Sequence, residues 1–276
     1  MARIAHLSDV HFGAHDPAIV AGVEAWLTAE RPDLVVVSGD WTQRARREQF
    51  REAAAFLGRL RGAGLNVLGV AGNHDVPLYD VVHRFIRPLA RYRRYIDAQL
   101  CPWFENERIA VLGINTARSL TFKDGRINEA QMAIIRDRFA AVGEARTRIL
   151  VTHHPLFAMP IGEAEGMTEA VGRHEGALAA VADAGVHLLL AGHFHRSFAG
   201  SARQMVERAG PALVVQAGTA TSTRIREGEA QSFNLIDAAR NDRVGVRVAL
   251  WDGEAFRLGE RAGYARDGDG DWQRAP

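Results

Sequence analysis

The chain has 276 residues, 47% of them hydrophobic, and a formal net charge of +1 at pH 7. That length and apolar share suit one large domain or two small ones with a sizeable core. So small a charge excludes a general electrostatic pull toward nucleic acid or anionic lipid. The lone Cys101 excludes an internal disulfide framework and any cysteine-rich zinc or iron–sulfur site.

The N-terminus meets Arg3 and Asp9 too soon for a signal-peptide core. No apolar run approaches the roughly 18–20 residues that span a bilayer, so the expectation is a soluble, cytoplasmic protein without a membrane partner. The first strand is predicted over Arg3–Leu7, followed by a helix over Pro17–Ala29 behind the N-capping Asp16. Asp33–Val37 is the next strand, Arg46–Leu60 the next helix, and Leu65–Val70 the strand after it. Arg108–Ile114, Thr147–Thr152 and Val186–Leu190 read as further strands, alternating with helices over Glu129–Val142 and His174–Asp183. Strand and helix in alternation at this spacing predict a layered α/β domain.

The pattern loosens over 76–103, an insert dense in arginine and aromatic residues, and over 157–173, a glycine-containing stretch that reads as a loop or a lid. Beyond Gly192 no helix is predicted, only antiparallel strands at Ala212–Gln216, Ser232–Ile236, Val244–Trp251 and Ala255–Leu258. Residues 263–276 are polar and glycine-rich and read as a flexible tail. The expected organisation is therefore one domain over 1–262 and a tail over 263–276. Lys123 is the only lysine, a bias toward arginine that runs along the whole chain and marks no site.

Of the eleven histidines, six fall in four short windows: His11, His74, His153 with His154, and His193 with His195. Each window lies just past the carboxyl end of a predicted strand, as do Asp9, Asp40 and Asn73, and open α/β sheets build their sites there. Asp9-Val10-His11 and His193-Phe194-His195 put two donors on one side of an extended segment. Glycines before Asp40, Asn73 and His193 allow the backbone to come close to whatever is bound. Imidazole, carboxylate and amide oxygen without thiolate suit zinc, manganese, iron, cobalt or nickel better than calcium or magnesium alone. So many donors exceed one tetrahedral metal but match two ions sharing a carboxylate roughly 3.5–4 Å apart.

At these residues the sequence resembles the calcineurin-like metallophosphoesterase superfamily. The blocks are Asp9-Val10-His11, Gly39-Asp40, Gly72-Asn73-His74-Asp75, His153-His154-Pro155 and Gly192-His193-Phe194-His195, none missing or altered. The resemblance implies a four-layer α/β/β/α sandwich of two mixed sheets flanked by helices. It implies that Asp9, His11, Asp40 and His195 hold one metal, and that Asp40, Asn73, His153 and His193 hold the other. It chooses His153 over His154 as ligand, leaving His154 for the substrate. His74 would protonate the leaving oxygen or stabilise the phosphoryl transition state, with Asp75 orienting it. The cofactors would be two divalent transition-metal ions, manganese, iron, cobalt or zinc.

The length and block layout look most like the small bacterial cyclic-nucleotide and glycerophosphodiester phosphodiesterases. The function expected is hydrolysis of a small phosphodiester by metal-bridged hydroxide attack, with Arg44 a candidate for contact with the substrate. A broad-specificity phosphomonoesterase, a nuclease and a non-enzymatic scaffold are the alternatives. The near-zero charge and the lack of a basic groove interleaved with aromatics argue against nucleic acid as a partner. Homo-oligomerisation is left open.

Overall fold

The computed structural model describes residues 1–120, 124–157, 174–206, 209–226 and 228–275. The chain opens with three parallel strands, β1 (Ala2–Leu7), β2 (Leu34–Val37) and β3 (Val67–Gly69), joined by helices α1 (Pro17–Glu30) and α2 (Arg47–Gly62). α1 starts where the Asp16 carboxylate accepts the Ala18 amide at 2.8 Å. Pro17 then sits in the first turn, where a missing amide costs no helical bond.

The insert after β3 folds into two short helices, α3 (Val81–Ile86) and α4 (Ala90–Tyr95), and an edge strand, β4 (Trp103–Glu105). The second run of alternation follows: β5 (Ile109–Gly113), α5 (Glu129–Ala140), β6 (Thr147–Val151), α6 (His174–Asp183) and β7 (Leu188–Ala191). Beyond it lie β8 (Phe198–Ser201), the four-residue α7 (Ala202–Met205), β9 (Leu213–Gln216), β10 (Ser232–Arg240), β11 (Arg243–Trp251), β12 (Phe256–Leu258), β13 (Ala262–Arg266) and β14 (Trp272–Ala275).

These strands make two mixed sheets. One runs β14-β13-β11-β10-β1-β2-β3, with β12 also on β11, and the other runs β4-β5-β6-β7-β9-β8. Alternate residues decide the layers. Ile4, Leu34 and Val36 meet Val111, Ile149, Leu188 and Leu213 between the sheets. The intervening Val35 and Val37 pack on Val23, Leu27, Phe50 and Phe56 of α1 and α2. On the far side, Leu112, Leu150 and Leu189 pack on Ile135, Phe139 and Val181 of α5 and α6. The central strands are buried on both faces, which is why they read as unbroken apolar runs. The result is the expected α/β/β/α sandwich.

Two expectations need correction. The segment expected as a tail does not fray over residues 263–275: β13 and β14 pair from Gly263↔Ala275 to Arg266↔Trp272, and Trp272 is 1% exposed. Burial of one large indole ties down an otherwise polar strand. Helices also continue past Gly192, in the short α7. The stretch expected as a lid, 157–173, lies outside the described residues except for Phe157, which is buried.

Candidate metal centre

Five of the seven non-glycine residues with positive φ among the described residues are Asp9, His11, Asp40, His193 and His195. Each such conformation costs on the order of 1–3 kcal/mol and persists only where the surroundings enforce it. Here backbone hydrogen bonds between turns do so. The Asp9 amide donates to the Gly39 carbonyl at 3.1 Å and the His11 amide to the Asp40 carbonyl at 2.9 Å. The Gly192 amide donates to the His153 carbonyl at 3.0 Å, and the Gln216 side-chain amide donates to the Gly192 carbonyl. The turns after β1, β2, β6 and β7 are thus stitched into one rim. Gly39 has φ +101°, and a Cβ there would stand 2.6 Å from His153 Nδ1, so only glycine brings Ser38 and Asp40 this close to His153.

All seven expected donors meet at that rim. Asp9 Oδ1 lies 3.1 Å from His195 Nε2 and 3.5 Å from His11 Nε2. On the other side His153 Nε2 and His193 Nδ1 lie 3.0 and 3.2 Å from Asn73 Oδ1. Asp40 stands between them: its Oδ2 is 3.4 Å from His153 Nε2 and 3.7 Å from His11 Nε2. Its Oδ1 accepts the His74 amide at 2.9 Å. The groups Asp9–His11–His195, Asp9–Asp40–His153 and His153–His154–His193 each bring one ligand atom per residue within 4.8 Å of the others.

Around Asp9 and His11 the donors crowd together without bonding as a hydrogen-bond network would. Asp9 Oδ1 and both ring nitrogens of His11 are buried with no hydrogen-bond partner, although carboxylate and imidazole stand close by. Buried polar atoms left in this state are costly, and lone pairs aimed at common points are what a cation needs. The donor set fits divalent transition metals.

The charges agree. Burial alone would raise the Asp9 carboxyl, but the charge of His195 and contacts with His11 and His195 outweigh it and hold it well below the carboxylate range. Asp40 is likewise held low against its burial by His153 and His74. Burial would lower His153, yet Asp40 beside it drives it up to about 9. Burial, then the charge of His153, pushes His193 down to about 3. Two ionised carboxylates thus face a shell of imidazoles.

His74 lines the same rim, its ring edge-on to His11 with centroids 4.9 Å apart. Its Nδ1 lies 2.8 Å from the Gln43 carbonyl, which requires a proton on Nδ1. The expectation that Asp75 orients this ring is corrected. The Asp75 carboxylate is fully buried and accepts from Gly72 N at 2.9 Å, Trp41 N at 3.2 Å, Thr42 N at 2.9 Å and Thr42 Oγ1 at 3.0 Å. It holds the Asp40 turn in place. Burial and the charge of Asp40 push its carboxyl up to about 7 in spite of those donors.

His154 is buried, with Nδ1 fixed at 2.7 Å from Thr116 Oγ1 and its ring 4.7 Å from that of His193. Arg44 is half-buried and donates to the Tyr79 hydroxyl at 2.8 Å. Sequence reasoning missed Gln43 and Thr116. The rule that found the donors, a polar residue just past a strand end, would also have picked Thr116 after β5.

A cavity of about 200 Å³ opens beside Asn73 and His74, walled by Gln43, Arg44, Val76, Leu78 and Arg84. A larger recess of about 440 Å³, between β3 and the Trp103–Phe104 edge, holds none of the candidate residues.

Two stacked mixed sheets with outer helices and a carboxylate–histidine rim define a metallophosphoesterase. The chain belongs to the calcineurin-like phosphoesterase family, whose family model matches residues 2–197. It is 29% identical over 181 residues to the glycerophosphodiester phosphodiesterase GpdQ of Enterobacter lignolyticus (strain SCF1), covering 59% of this chain and 59% of that relative's length. Among solved structures it is similar to the purple acid phosphatase PPD1 of yellow lupin (Lupinus luteus) seeds. That match has a TM-score of 0.73 at 14% identity and covers 97% of this chain and 54% of that one. It is also similar to a dimetal phosphatase from Danio rerio, with a TM-score of 0.64 at 14% identity over 95% of this chain and 98% of that one. At that identity the likeness establishes the fold. Among the described residues no helix is long and apolar enough to cross a membrane.

Proposed function

We propose that the chain is a dinuclear-metal phosphodiesterase acting on small phosphodiesters. The observation that carries the reading is the position of Asp40 Oδ2, 3.7 Å from His11 Nε2 and 3.4 Å from His153 Nε2. One carboxylate oxygen facing two imidazole clusters suits a bridge between two cations. Asp9, His11 and His195 would complete one site, and Asn73, His153 and His193 the other. The ions would be drawn from manganese, iron, cobalt or zinc. Bound there, they supply Lewis acidity, which acidifies water and neutralises the phosphoryl oxygens.

The remaining work falls to the chain. His74, with Nδ1–H spent on the Gln43 carbonyl, has Nε2 to hold a proton and hand it to the leaving oxygen. His154, fixed by Thr116, would contact a phosphoryl oxygen beside His193, and Arg44 would stand at the mouth. The likeness to GpdQ favours a diester over a monoester.

The test is metal analysis of purified protein with turnover of bis(p-nitrophenyl) phosphate and p-nitrophenyl phosphate. About two ions per chain and faster diester turnover are expected. Faster monoester turnover would make the protein a phosphomonoesterase, and protein that binds no metal and turns over neither ester would make it a scaffold.

A further inference from the structure

The cavity beside His74 is distinct in chemistry from the metal-facing rim. Its floor is Arg84, only 4% exposed, whose guanidinium donates to the Pro77 carbonyl at 3.0 Å. Its mouth is Arg44, held by the Tyr79 hydroxyl at 2.8 Å and by the Tyr79 ring, whose centroid lies 5.4 Å from the guanidinium carbon. Val76 and Leu78 supply an apolar wall, and no acidic residue lines the space among the described residues. Two guanidinium groups around one small cavity favour an anion, through charge-assisted and bidentate bonds.

The cavity also lies where one product must go. As water adds to phosphorus and the bond to the alcohol oxygen breaks, that oxygen takes the proton His74 holds, so the departing alcohol occupies the space next to His74. About 200 Å³ is less than the ~300–1,000 Å³ of sites that take drug-sized ligands. A single ring or a short chain fits it.

We infer that this cavity is a leaving-group site, and that Arg44 and Arg84 select phosphoesters whose leaving alcohol is small and carries its own anionic group. The inference rests on the phosphohydrolase reading above and names the substrate class within it.

The test compares kcat/KM for 4-carboxyphenyl methyl phosphate and 4-carbamoylphenyl methyl phosphate, diesters of equal size whose leaving phenols differ in charge. Metal-loaded wild-type protein is expected to prefer the carboxylate ester about tenfold or more, the scale of a charge-assisted bond. Arg44→Met and Arg84→Met should each bring the ratio toward unity, while Arg84→Lys keeps part of it. Arg84 is buried, so if Arg84→Met fails to fold, Arg44→Met and Arg84→Lys carry the comparison.

Calorimetry gives a readout without turnover. 4-Hydroxybenzoate should bind at least about tenfold tighter than 4-hydroxybenzamide, and Arg44→Met should remove the difference. A wild-type ratio near unity, or one that Arg44→Met and Arg84→Lys leave untouched, overturns the inference. If neither diester turns over but the matching aryl monoesters do, the diesterase reading fails alone, and the same ratio is read on the monoesters. Turnover of none of the four, with no difference in binding, overturns both.

Discussion

Asp75 and Thr42 are joined twice: the Asp75 carboxylate accepts the Thr42 amide at 2.9 Å and the Thr42 hydroxyl at 3.0 Å. Trp41 N and Gly72 N add two more donors to the same carboxylate. This fixes the turn that aims Asp40, across the chain from the loop that carries His74. Asp75→Ala would leave these donors unsatisfied in a dry interior. A loss of about 3 kcal/mol or more is expected, read as a lower denaturation midpoint, with metal content falling as the Asp40 turn loosens. A variant as stable as wild type would refute the structural role.

The adjacent His74 should behave oppositely. What His74 gives Asp40 is its backbone amide, at 2.9 Å, and alanine keeps that bond. Its ring, tied to the Gln43 carbonyl, belongs to none of the groups that bring donor atoms together around Asp9, Asp40 and His153. His74→Ala is expected to lower kcat by about 10²–10⁴-fold, the usual worth of a general acid. Stability and metal content should stay near wild type. Loss of metal in this variant would make His74 a ligand instead of a proton carrier.

Asp40→Ala should do what neither of those does alone. Its Oδ2 faces His11 on one side and His153 on the other. Without it, no carboxylate oxygen faces both imidazole clusters. Turnover is expected to vanish, and the metal content measured by elemental analysis should fall below that of wild type. Retention of full metal content would mean the two clusters do not depend on a shared carboxylate.

Legibility in the sequence divides along a physical line. β2, with Leu34 and Val36 between the sheets and Val35 and Val37 under the helices, is apolar at every position, so composition alone finds it. The donors were legible for a related reason: each is a polar residue at a strand end, and three of them, Asp40, Asn73 and His193, follow glycines whose absent side chain is required by close packing. β14 was not legible, because only Trp272 of Trp272-Gln273-Arg274-Ala275 is fully buried, and one inward residue leaves the composition of a tail. The partner of His74 was hidden for another reason. Its nearest atom is a main-chain oxygen, which any residue at position 43 carries.

The Trp272 observation is itself testable. Its indole is buried in the layer between the sheets, near Tyr264, whose hydroxyl donates to the Ala199 carbonyl of the other sheet at 3.0 Å. The last strands therefore clasp the two sheets together. Trp272→Ala is expected to cost about 3–5 kcal/mol, the range for deleting a buried tryptophan. Chemical denaturation would measure it, and a change under about 0.5 kcal/mol, typical of a surface position, would restore the reading of 263–276 as a loose tail.

His187 gives the fold a pH dependence of its own, at the end of β7 away from the candidate metal centre. Its Nδ1 accepts the Arg148 amide at 2.9 Å, which requires that nitrogen to be unprotonated. Burial, then the positive charges of Arg266 and Arg148, lowers its pKa from 6.5 to about 4. The unfolded chain therefore binds the proton first as pH falls. The stabilisation from neutral His187 is complete above pH 6.5, declines between 6.5 and about 4, and is gone below that. Linkage puts the loss on the order of 3 kcal/mol. His187→Asn supplies an amide oxygen for the same Arg148 donor without a titrating group. Denaturation midpoints from pH 7 down to about pH 4 should therefore fall less steeply for the variant than for wild type. Equal slopes would assign the acid sensitivity to other groups.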